Sequence, residues 1–216
     1  MRVRVLSWAA AVFALLVAQS AWAIGSNALL AHGKSFADHS WTATSANKTA
    51  WCSGSYTSDY GPGTYVGVAY DWGGFDSLVQ YDQKLADGYG AGSHSWHGVL
   101  SCTTGLDCSG YVSRCWELTG KKGTATIHTV SHEIAKADVL PGDAYNKSGS
   151  HIVLWYDYAA DGGPIFYEAS GSASKVRLNT AATWGYLSGY KSIRYDGFDV
   201  EPVEMMSDGT VGNPIW

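Results

Sequence analysis

The sequence has 216 residues and a formal net charge of −5, with 19 acidic side chains against 14 Lys and Arg side chains. An acidic surface is repelled by phosphate, so this balance argues against nucleic-acid binding and against attraction to anionic membranes. Ten Trp, fourteen Tyr and 26 Gly indicate an aromatic-rich fold with many tight turns and exclude a largely disordered chain.

Residues 1–23 have the pattern of a secretory signal peptide. Two arginines precede an apolar run of roughly a dozen residues, and Ala21-Trp22-Ala23 matches the small-residue cleavage pattern. The run is short for a permanent membrane anchor. We therefore expect a secreted or periplasmic protein that has no membrane association after cleavage. The remaining length is enough for one sizeable core and rather little for two domains.

The rest of the chain divides by composition into three parts. Residues 24–64 are rich in Ser, Thr, Asn and Gly, which predicts an irregular N-terminal segment that wraps the domain. Residues 65–195 contain the ordered pattern of apolar residues and form the predicted domain. Residues 196–216 contain Pro and Gly and are predicted to be a loop-like C-terminal tail.

Three helices are predicted in the first half of the domain. Asp76-Ser77 can cap a helix over residues 78–86, which Gly88 ends. A helix beginning near Cys108 follows a helical period and ends at Thr119-Gly120. A further short helix is predicted over residues 127–137. Leu140-Pro141-Gly142-Asp143 follows it and turns the chain.

Strands follow in the second half. Residues 151–156 are β-branched and aromatic, and a turn over residues 160–163 leads to a returning strand over residues 165–169. A last strand is predicted over residues 190–195. Helices followed by consecutive strands are typical of an α+β domain in which the helices pack on one face of an antiparallel sheet.

Cys108 lies at the predicted start of a helix, in the stretch Leu106-Asp107-Cys108-Ser109-Gly110. Unpaired backbone N–H groups and the positive end of the helix dipole favour a thiolate at such a position. Gly110 lowers helix propensity by up to about 1 kcal/mol relative to Ala and allows a backbone or a substrate to approach closely. These features predict a nucleophilic cysteine.

A thiolate nucleophile needs a base and a group that orients the base. His151 begins a strand directly after a Gly/Ser loop, so it is the candidate base. If the hairpin turn is centred on residues 160 and 161, Val153 faces Glu168, and Glu168 then lies diagonal to His151 on the same face. A carboxylate there can accept the second imidazole N–H and fix the tautomer of the ring.

Four segments of the chain resemble the NlpC-type cell-wall cysteine endopeptidases, a papain-like family. They occur in the family's order and together cover roughly residues 65–195. The segments are Val68-Ala69-Tyr70-Asp71-Trp72-Gly73-Gly74, similar to P-Y-x-W-G-G; Leu106-Asp107-Cys108-Ser109-Gly110-Tyr111-Val112, similar to the D-C-S-G-F-V nucleophile motif; Leu140-Pro141-Gly142-Asp143 with the strand from His151, similar to L-x-P-G-D and the strand of the catalytic His; and Tyr167-Glu168-Ala169-Ser170, where the family has its third polar residue.

The resemblance implies a single papain-like catalytic domain over residues 65–195, with Cys108 as nucleophile, His151 as base and Glu168 as orienting residue. It implies hydrolysis of amide bonds in peptidoglycan stem peptides of the bacterial cell envelope, often between γ-D-glutamyl and a diamino acid. We expect peptidoglycan peptides as partners, a monomer, and no metal or other cofactor. The positions matching substrate-binding residues of the family are Tyr70, Asp107 and Ser109.

The chain departs from the family pattern at two positions. Ala69 replaces a usual Pro, which is a minor difference. Glu168 replaces the more usual His, Asn or Gln, so the orienting role is the part of the assignment that the resemblance supports least. No wall-binding repeat is recognisable in the sequence.

An even number of cysteines in an exported protein usually indicates disulfides, which is the structural alternative for Cys108. Cys115 lies on nearly the same helical face as Cys108 and is expected to pack inward. Cys52 and Cys102 are then the candidate disulfide pair, linking the N-terminal segment to the loop before the helix. A bridge from Cys108 to Cys52 or Cys102 would abolish the proposed chemistry.

Other patterns favour structural roles. His128 and His132 lie four residues apart on the predicted helix over residues 127–137, but their order is not that of a zinc protease. A solvated helix face is the preferred interpretation. His94-Ser95-Trp96-His97 lies in a glycine-flanked loop and either borders the cleft or clusters by chance. Asp107 can also be the N-cap of its helix.

Two other functions fit the same residues. The first is an amidase or acyltransferase that uses the same machinery on other amides, as a toxin-like effector would. The second is a wall-binding module without catalytic activity on a peptidase scaffold. A complete set of Cys, His and Glu argues against the second function, and products from muropeptides, lipid amides and protein amides would distinguish the first.

Overall fold

The structure is a computed structural model that describes residues 24–49, 51 and 54–199. The described residues form three α-helices and a six-stranded antiparallel sheet, with three further two-stranded pairs. The helices are α1 (Ser26–Ala37), α2 (Leu78–Ala86) and α3 (Cys108–Cys115). The strands are β1 (Ile24–Gly25), β2 (Ser40–Ala43), β3 (Gly63–Val66), β4 (Gly90–Ala91), β5 (Thr103–Thr104), β6 (Ser131–Glu133), β7 (Ala144–Lys147), β8 (His151–Tyr158), β9 (Pro164–Ser170), β10 (Lys175–Asn179), β11 (Lys191–Tyr195) and β12 (Phe198–Asp199).

The six-stranded sheet has the order β10-β9-β8-β7-β11-β6. Helix α3 packs on β8 and β9, and α1 packs on α3 and β10. The predicted α+β architecture, with the helix that starts at Cys108 on one face of an antiparallel sheet, is therefore confirmed. The main core lies between these helices and the sheet and includes Leu29, Val112 and Leu154, none of which is exposed.

The opposite face of the sheet carries a smaller core. Trp155 and Phe166, neighbours across the β8–β9 hairpin, pack there with Leu187 from the loop before β11. Both faces of the central strands are thus covered, and for this reason β8 is an almost continuous apolar run.

The β8–β9 hairpin has the predicted register at the end away from its turn. Leu154 lies opposite Tyr167, and the turn is closed by a hydrogen bond from the Ala159 N–H to the Gly163 carbonyl at 2.8 Å. A bulge between Trp155 and Asp157 shifts the pairing by one residue only toward the turn. The end of the hairpin that carries His151 therefore keeps the register that places Glu168 on the same face.

The prediction of an irregular segment over residues 24–64 was wrong for its first part. Helix α1 occupies residues 26–37, and it buries Leu29, Leu30, Gly33 and Phe36. The polar Ser, Asn, His and Lys residues between them obscure this pattern in the sequence. Strand β2 then pairs with β3, so the segment belongs to the main core rather than wrapping around it.

The predicted helix over residues 127–137 was also wrong. A 3₁₀ turn at Ile127–Thr129 is followed by β6, which pairs antiparallel with β11, and a second 3₁₀ turn covers Lys136–Asp138. The open edge of the sheet at β11 supplies the pairing partner that keeps residues 131–133 extended. His132 therefore lies on a strand, where its Nδ1 is 2.8 Å from the Asp196 carboxylate.

Some boundaries differ from the predictions. The predicted helix over residues 78–86 matches α2, with Ser77 as its N-cap. Helix α3 ends at Cys115, earlier than predicted. Strands β7 and β10 were not predicted, and β12 in the predicted tail pairs with β1. Residues 200–216 and residues 1–23, the predicted signal peptide, lie outside the described part. No helix among the described residues is long and apolar enough to cross a membrane.

Candidate active site

Cys108 is the first residue of α3 and is a free, buried thiol. Asp107 is the N-cap, and its Oδ1 accepts a hydrogen bond from the Gly110 N–H at 2.7 Å. Capping of this kind fixes the direction in which the first helical turn points. The predicted placement of Cys108 at a helix N-terminus, where backbone N–H groups face the site, is confirmed.

The loop Trp72-Gly73-Gly74 is fastened to the start of α3. The Asp107 N–H donates to the Gly74 carbonyl at 3.3 Å, and the Gly73 N–H donates to Asp107 Oδ2 at 3.1 Å. A Cβ at Gly110 would lie 2.0 Å from the Gly74 carbonyl oxygen, so this position admits only glycine. The close approach predicted at Gly110 is therefore made by the protein's own backbone.

His151 and Glu168 are in direct contact. His151 Nε2 is 3.0 Å from Glu168 Oε2, and Glu168 is completely buried. Because Glu168 occupies Nε2, Nδ1 is the ring nitrogen left for the Cys108 thiol. Burial alone would lower the pKa of His151, but hydrogen bonds with Cys108 and Glu168 raise it to about 9. The three residues named from the sequence thus come together with His151 in the middle.

Glu168 accepts hydrogen bonds on both carboxylate oxygens. Oε1 accepts from Arg177 Nε at 3.0 Å, Arg177 Nη2 at 2.8 Å and Asn179 Nδ2 at 2.9 Å. Oε2 accepts from the Tyr186 hydroxyl at 2.8 Å, beside His151. Burial alone would raise the pKa of Glu168, but hydrogen bonds from His151, Tyr186 and Arg177 lower it to about 2. Glu168 is therefore an ionised acceptor at any physiological pH.

Two tyrosines from the loop before β11 enclose the His151 ring. The rings of Tyr186 and Tyr190 both lie edge-on to it, with centroids 6.4 Å away. Lys147 approaches the Tyr190 ring at 5.9 Å. Sequence reasoning missed these residues and the β10 residues on Glu168. The signal that could have found β10 is the alternation Lys175-Val176-Arg177-Leu178-Asn179, in which every second residue is polar.

The three predicted substrate-binding residues lie beside Cys108. The Ser109 hydroxyl donates to Asp107 Oδ1 at 2.9 Å, and Lys121 forms an ion pair with Asp107 Oδ2. Both oxygens of the Asp107 carboxylate therefore bind groups of the protein, and the contact with the Gly110 N–H is that of a helix N-cap. Tyr70 lies close enough to Cys108 and Asp107 for their charges to act on its hydroxyl.

A groove of about 520 Å³ is lined by Tyr70 and by residues of the loop that carries His94 and Trp96. Its wall is formed by His94 and Trp96, whose rings stack with centroids 4.1 Å apart. His94 Nε2 is 2.7 Å from the Asp59 carboxylate, which also accepts a hydrogen bond from Ser174. The loop over residues 94–97 contributes His94, Ser95 and Trp96 to the same groove as Tyr70, and its position beside the substrate cleft stays a prediction.

The other cysteines differ in character. Cys115 is free and completely buried, and its burial raises the pKa of the thiol, so it is an inert core residue as predicted. Cys102 is also buried, next to Tyr56. Cys52 lies outside the described residues, and its pairing with Cys102 stays a prediction. Cys108 is a free thiol in the structure, in contrast to the alternative in which it forms a disulfide.

Within residues 24–49, 51 and 54–199, no cluster of three or more His, Cys, Asp or Glu side chains is arranged to hold a metal ion. The groups that the site presents are the thiol of Cys108, the imidazole of His151 and the carboxylate of Glu168. The arrangement places the Cys108 thiol beside an imidazole that a buried carboxylate keeps in one orientation.

Comparisons with known proteins find similarity only at the level of three-dimensional structure. No family model and no curated protein matches the sequence. The peptidoglycan hydrolase RipB from Mycobacterium tuberculosis is similar over 59% of this chain and 57% of that chain, with 24% identity and a TM-score of 0.40. This chain therefore spans little more than half the length of RipB.

Two further solved structures are similar to this chain. The P60 domain of an antigen from Mycobacterium avium subspecies paratuberculosis covers 79% of this chain and is itself covered over 93%, with 17% identity and a TM-score of 0.44. An NlpC/P60 family protein from Bacillus cereus has 15% identity, a TM-score of 0.35 and coverage of 62% and 44%, respectively.

Proposed function

We propose that this protein is an exported cysteine hydrolase of the NlpC type that cleaves amide bonds in peptidoglycan stem peptides. The observation that carries the chemistry is the free thiol of Cys108 at the start of α3, beside a histidine whose second nitrogen is held by a buried carboxylate. The substrate class is inferred from the four segments that resemble this family. The preferred bond is the one between γ-D-glutamyl and the diamino acid.

The reaction proceeds in two steps. The Cys108 thiolate attacks the carbonyl carbon of the amide, and backbone N–H groups at the start of α3 stabilise the oxyanion that forms. The His151 imidazolium gives its Nδ1 proton to the leaving amine as the C–N bond breaks, which leaves a thioester. Neutral His151 then takes a proton from water, the hydroxide attacks the thioester, and Cys108 leaves as the thiolate.

Glu168 does not exchange a proton in this cycle. Its pKa of about 2 keeps it ionised, and its contact with Nε2 holds the imidazole with Nδ1 toward the sulfur. Tyr186 and Tyr190 restrict rotation of the ring from the side. The proton therefore moves only between Nδ1 and the reacting atoms.

Hydrolysis of purified muropeptides by the protein without residues 1–23 tests this proposal. Mass spectrometry should show disaccharide peptides shortened after the second residue of the stem. Cys108→Ala should give no product, whereas Cys115→Ala, which removes the other free thiol of the same helix, should keep the activity. Equal product from Cys108→Ala would refute the assignment of the nucleophile. Products from lipid or protein amides alone would favour the amidase or acyltransferase alternative.

A further inference from the structure

Strand β10 places a cation directly on the carboxylate that orients His151. Arg177 lies opposite Glu168 in the β9–β10 ladder, and both its Nε and its Nη2 donate to Oε1. Asn179, on the same face of β10, donates to the same oxygen at 2.9 Å. Glu168 thus presents Oε1 to β10 and Oε2 to His151. One carboxylate oxygen therefore binds the cation, and the other binds the imidazole.

Among the described residues, Arg177 is the cation other than His151 that hydrogen-bonds Glu168. The side chain of Arg177 is 36% exposed, whereas Glu168 is fully buried. Three other elements also place titratable or charged groups around His151 and Glu168. These groups are Cys108 from α3, Lys147 from β7, and Tyr186 and Tyr190 from the loop before β11. Of these, Lys147 lies over Tyr190 and not on the carboxylate.

A buried carboxylate without a cation would bind the imidazolium proton too strongly. An opposite charge within about 4–6 Å favours the charged form of a histidine, commonly by one pKa unit or more. In the proposed mechanism the imidazolium must release its proton to the leaving amine. An acid whose pKa is far above the working pH transfers its proton less readily. A cation on the far oxygen reduces this effect and keeps the hydrogen bond that orients the ring.

We propose that Arg177 is a positioning residue that neutralises Glu168, so that the carboxylate orients His151 without holding its proton too tightly. Arg177 thus offsets part of the negative charge that Glu168 presents to His151. The inference rests on the proposed function, in which Cys108 and His151 are the reacting pair. Asn179 contributes the geometry of Oε1, and Arg177 contributes the charge.

Titration of His151 by NMR in the Cys108→Ala protein tests the inference without any substrate. Arg177→Met should raise the titration midpoint of His151 by about one pH unit, because the carboxylate loses its cation and the imidazolium loses a positive neighbour. Glu168→Gln should lower the midpoint by at least about one unit, because Arg177 then remains without its counter-ion. The double variant Glu168→Gln/Arg177→Met restores a neutral pair, and its midpoint should lie between those of the two single variants.

Two controls separate charge from structure. Lys175→Met removes the same charge from the same face of β10 without touching Glu168, and its midpoint should equal that of the parent protein. Arg177→Lys keeps the charge with fewer hydrogen bonds and should stay within a few tenths of a unit. Near-UV circular dichroism verifies the packing of each variant. A midpoint for Arg177→Met that stays unchanged or falls would overturn the inference.

The active protein supplies the second readout. In the Cys108-containing chain, Arg177→Met should move the alkaline limb of kcat/KM upward and lower kcat about tenfold, while KM stays unchanged. Loss of activity without any shift of the limb would show a purely structural role and overturn the inference. If the unmodified protein cleaves no muropeptide, the proposed function fails, and the NMR titration still decides the role of Arg177.

Discussion

At the level of single residues, the site depends on how one imidazole is held between a thiol and a carboxylate. Glu168 would be a costly residue to bury alone, because transfer of an isolated carboxylate from water is strongly unfavourable. Here four side chains donate to it, and they come from β8, β10 and the loop before β11. The same contacts that stabilise the buried charge therefore fix the direction of His151.

The raised pKa of His151 gives a prediction about stability. The pKa rises from 6.5 to about 9 in the folded protein, so protonation of His151 stabilises the fold fully below pH 6.5. This contribution is lost as the pH rises through about 9. Comparison of the unfolding free energies of the unmodified protein and His151→Gln by urea denaturation should show a difference that shrinks by roughly 1–3 kcal/mol between pH 6 and pH 9.5. A difference independent of pH would contradict the raised pKa.

At the level of elements, the site depends on the contact between the start of α3 and the loop Trp72-Gly73-Gly74. Gly110→Ala would normally favour a helix by up to about 1 kcal/mol. In this protein the added Cβ would lie 2.0 Å from the Gly74 carbonyl oxygen, so the loop or the helix must move. We expect a lower melting temperature and at least a tenfold loss of kcat/KM, since misplacement of about 1 Å has effects of this size.

Gly120→Ala is the matched control for this prediction. Gly120 follows α3 in the chain, and no atom lies within 4 Å of a Cβ built at this position. Its melting temperature and activity should match those of the unmodified protein. If Gly110→Ala proved as stable and active as Gly120→Ala, the close contact between the loop and α3 would not be required.

The sequence predicts some elements of the site and not others. Helix α3 and the β8–β9 hairpin were predictable because each has a local signal, an N-cap before Cys108 and a Gly-rich turn before β9. The partners of Glu168 were not, because Arg177 and Tyr186 reach it through the pairing of β10 and the path of a loop. Those contacts depend on which strands become neighbours, and local pattern does not specify this.

The error over residues 127–137 has the same origin. Ile127, Val130 and Ile134 have helical spacing, but the β11 edge pairs with β6 and determines the local conformation. Helix α1 was missed because its buried face is only partly marked by apolar side chains. Its buried face includes Gly33, which has no apolar side chain to mark it, because Tyr111 and Leu154 fill the space where a Cβ would be.

At the level of the whole molecule, the N-terminal segment is part of the structure that supports the site. Helix α1 packs on α3, which carries Cys108, and on β10, which carries Arg177. Leu29 lies in the main core and contacts Gly142, in the turn that precedes β7. A pro-segment that is removed on activation would not be expected to share the main core with the helix of the nucleophile.

This arrangement predicts that a core substitution in α1 destabilises the whole domain. Leu29→Ala should lower the free energy of unfolding by about 2–5 kcal/mol, the usual range for a fully buried leucine. Because α1 and the sheet share one core, urea denaturation should show a single transition, seen equally by circular dichroism and by tryptophan fluorescence. Ala28→Ser, on the exposed face of the same helix, is the control and should change stability by less than about 0.5 kcal/mol. A separate early transition in Leu29→Ala, with the activity on muropeptides unchanged after it, would show that α1 folds apart from the catalytic core.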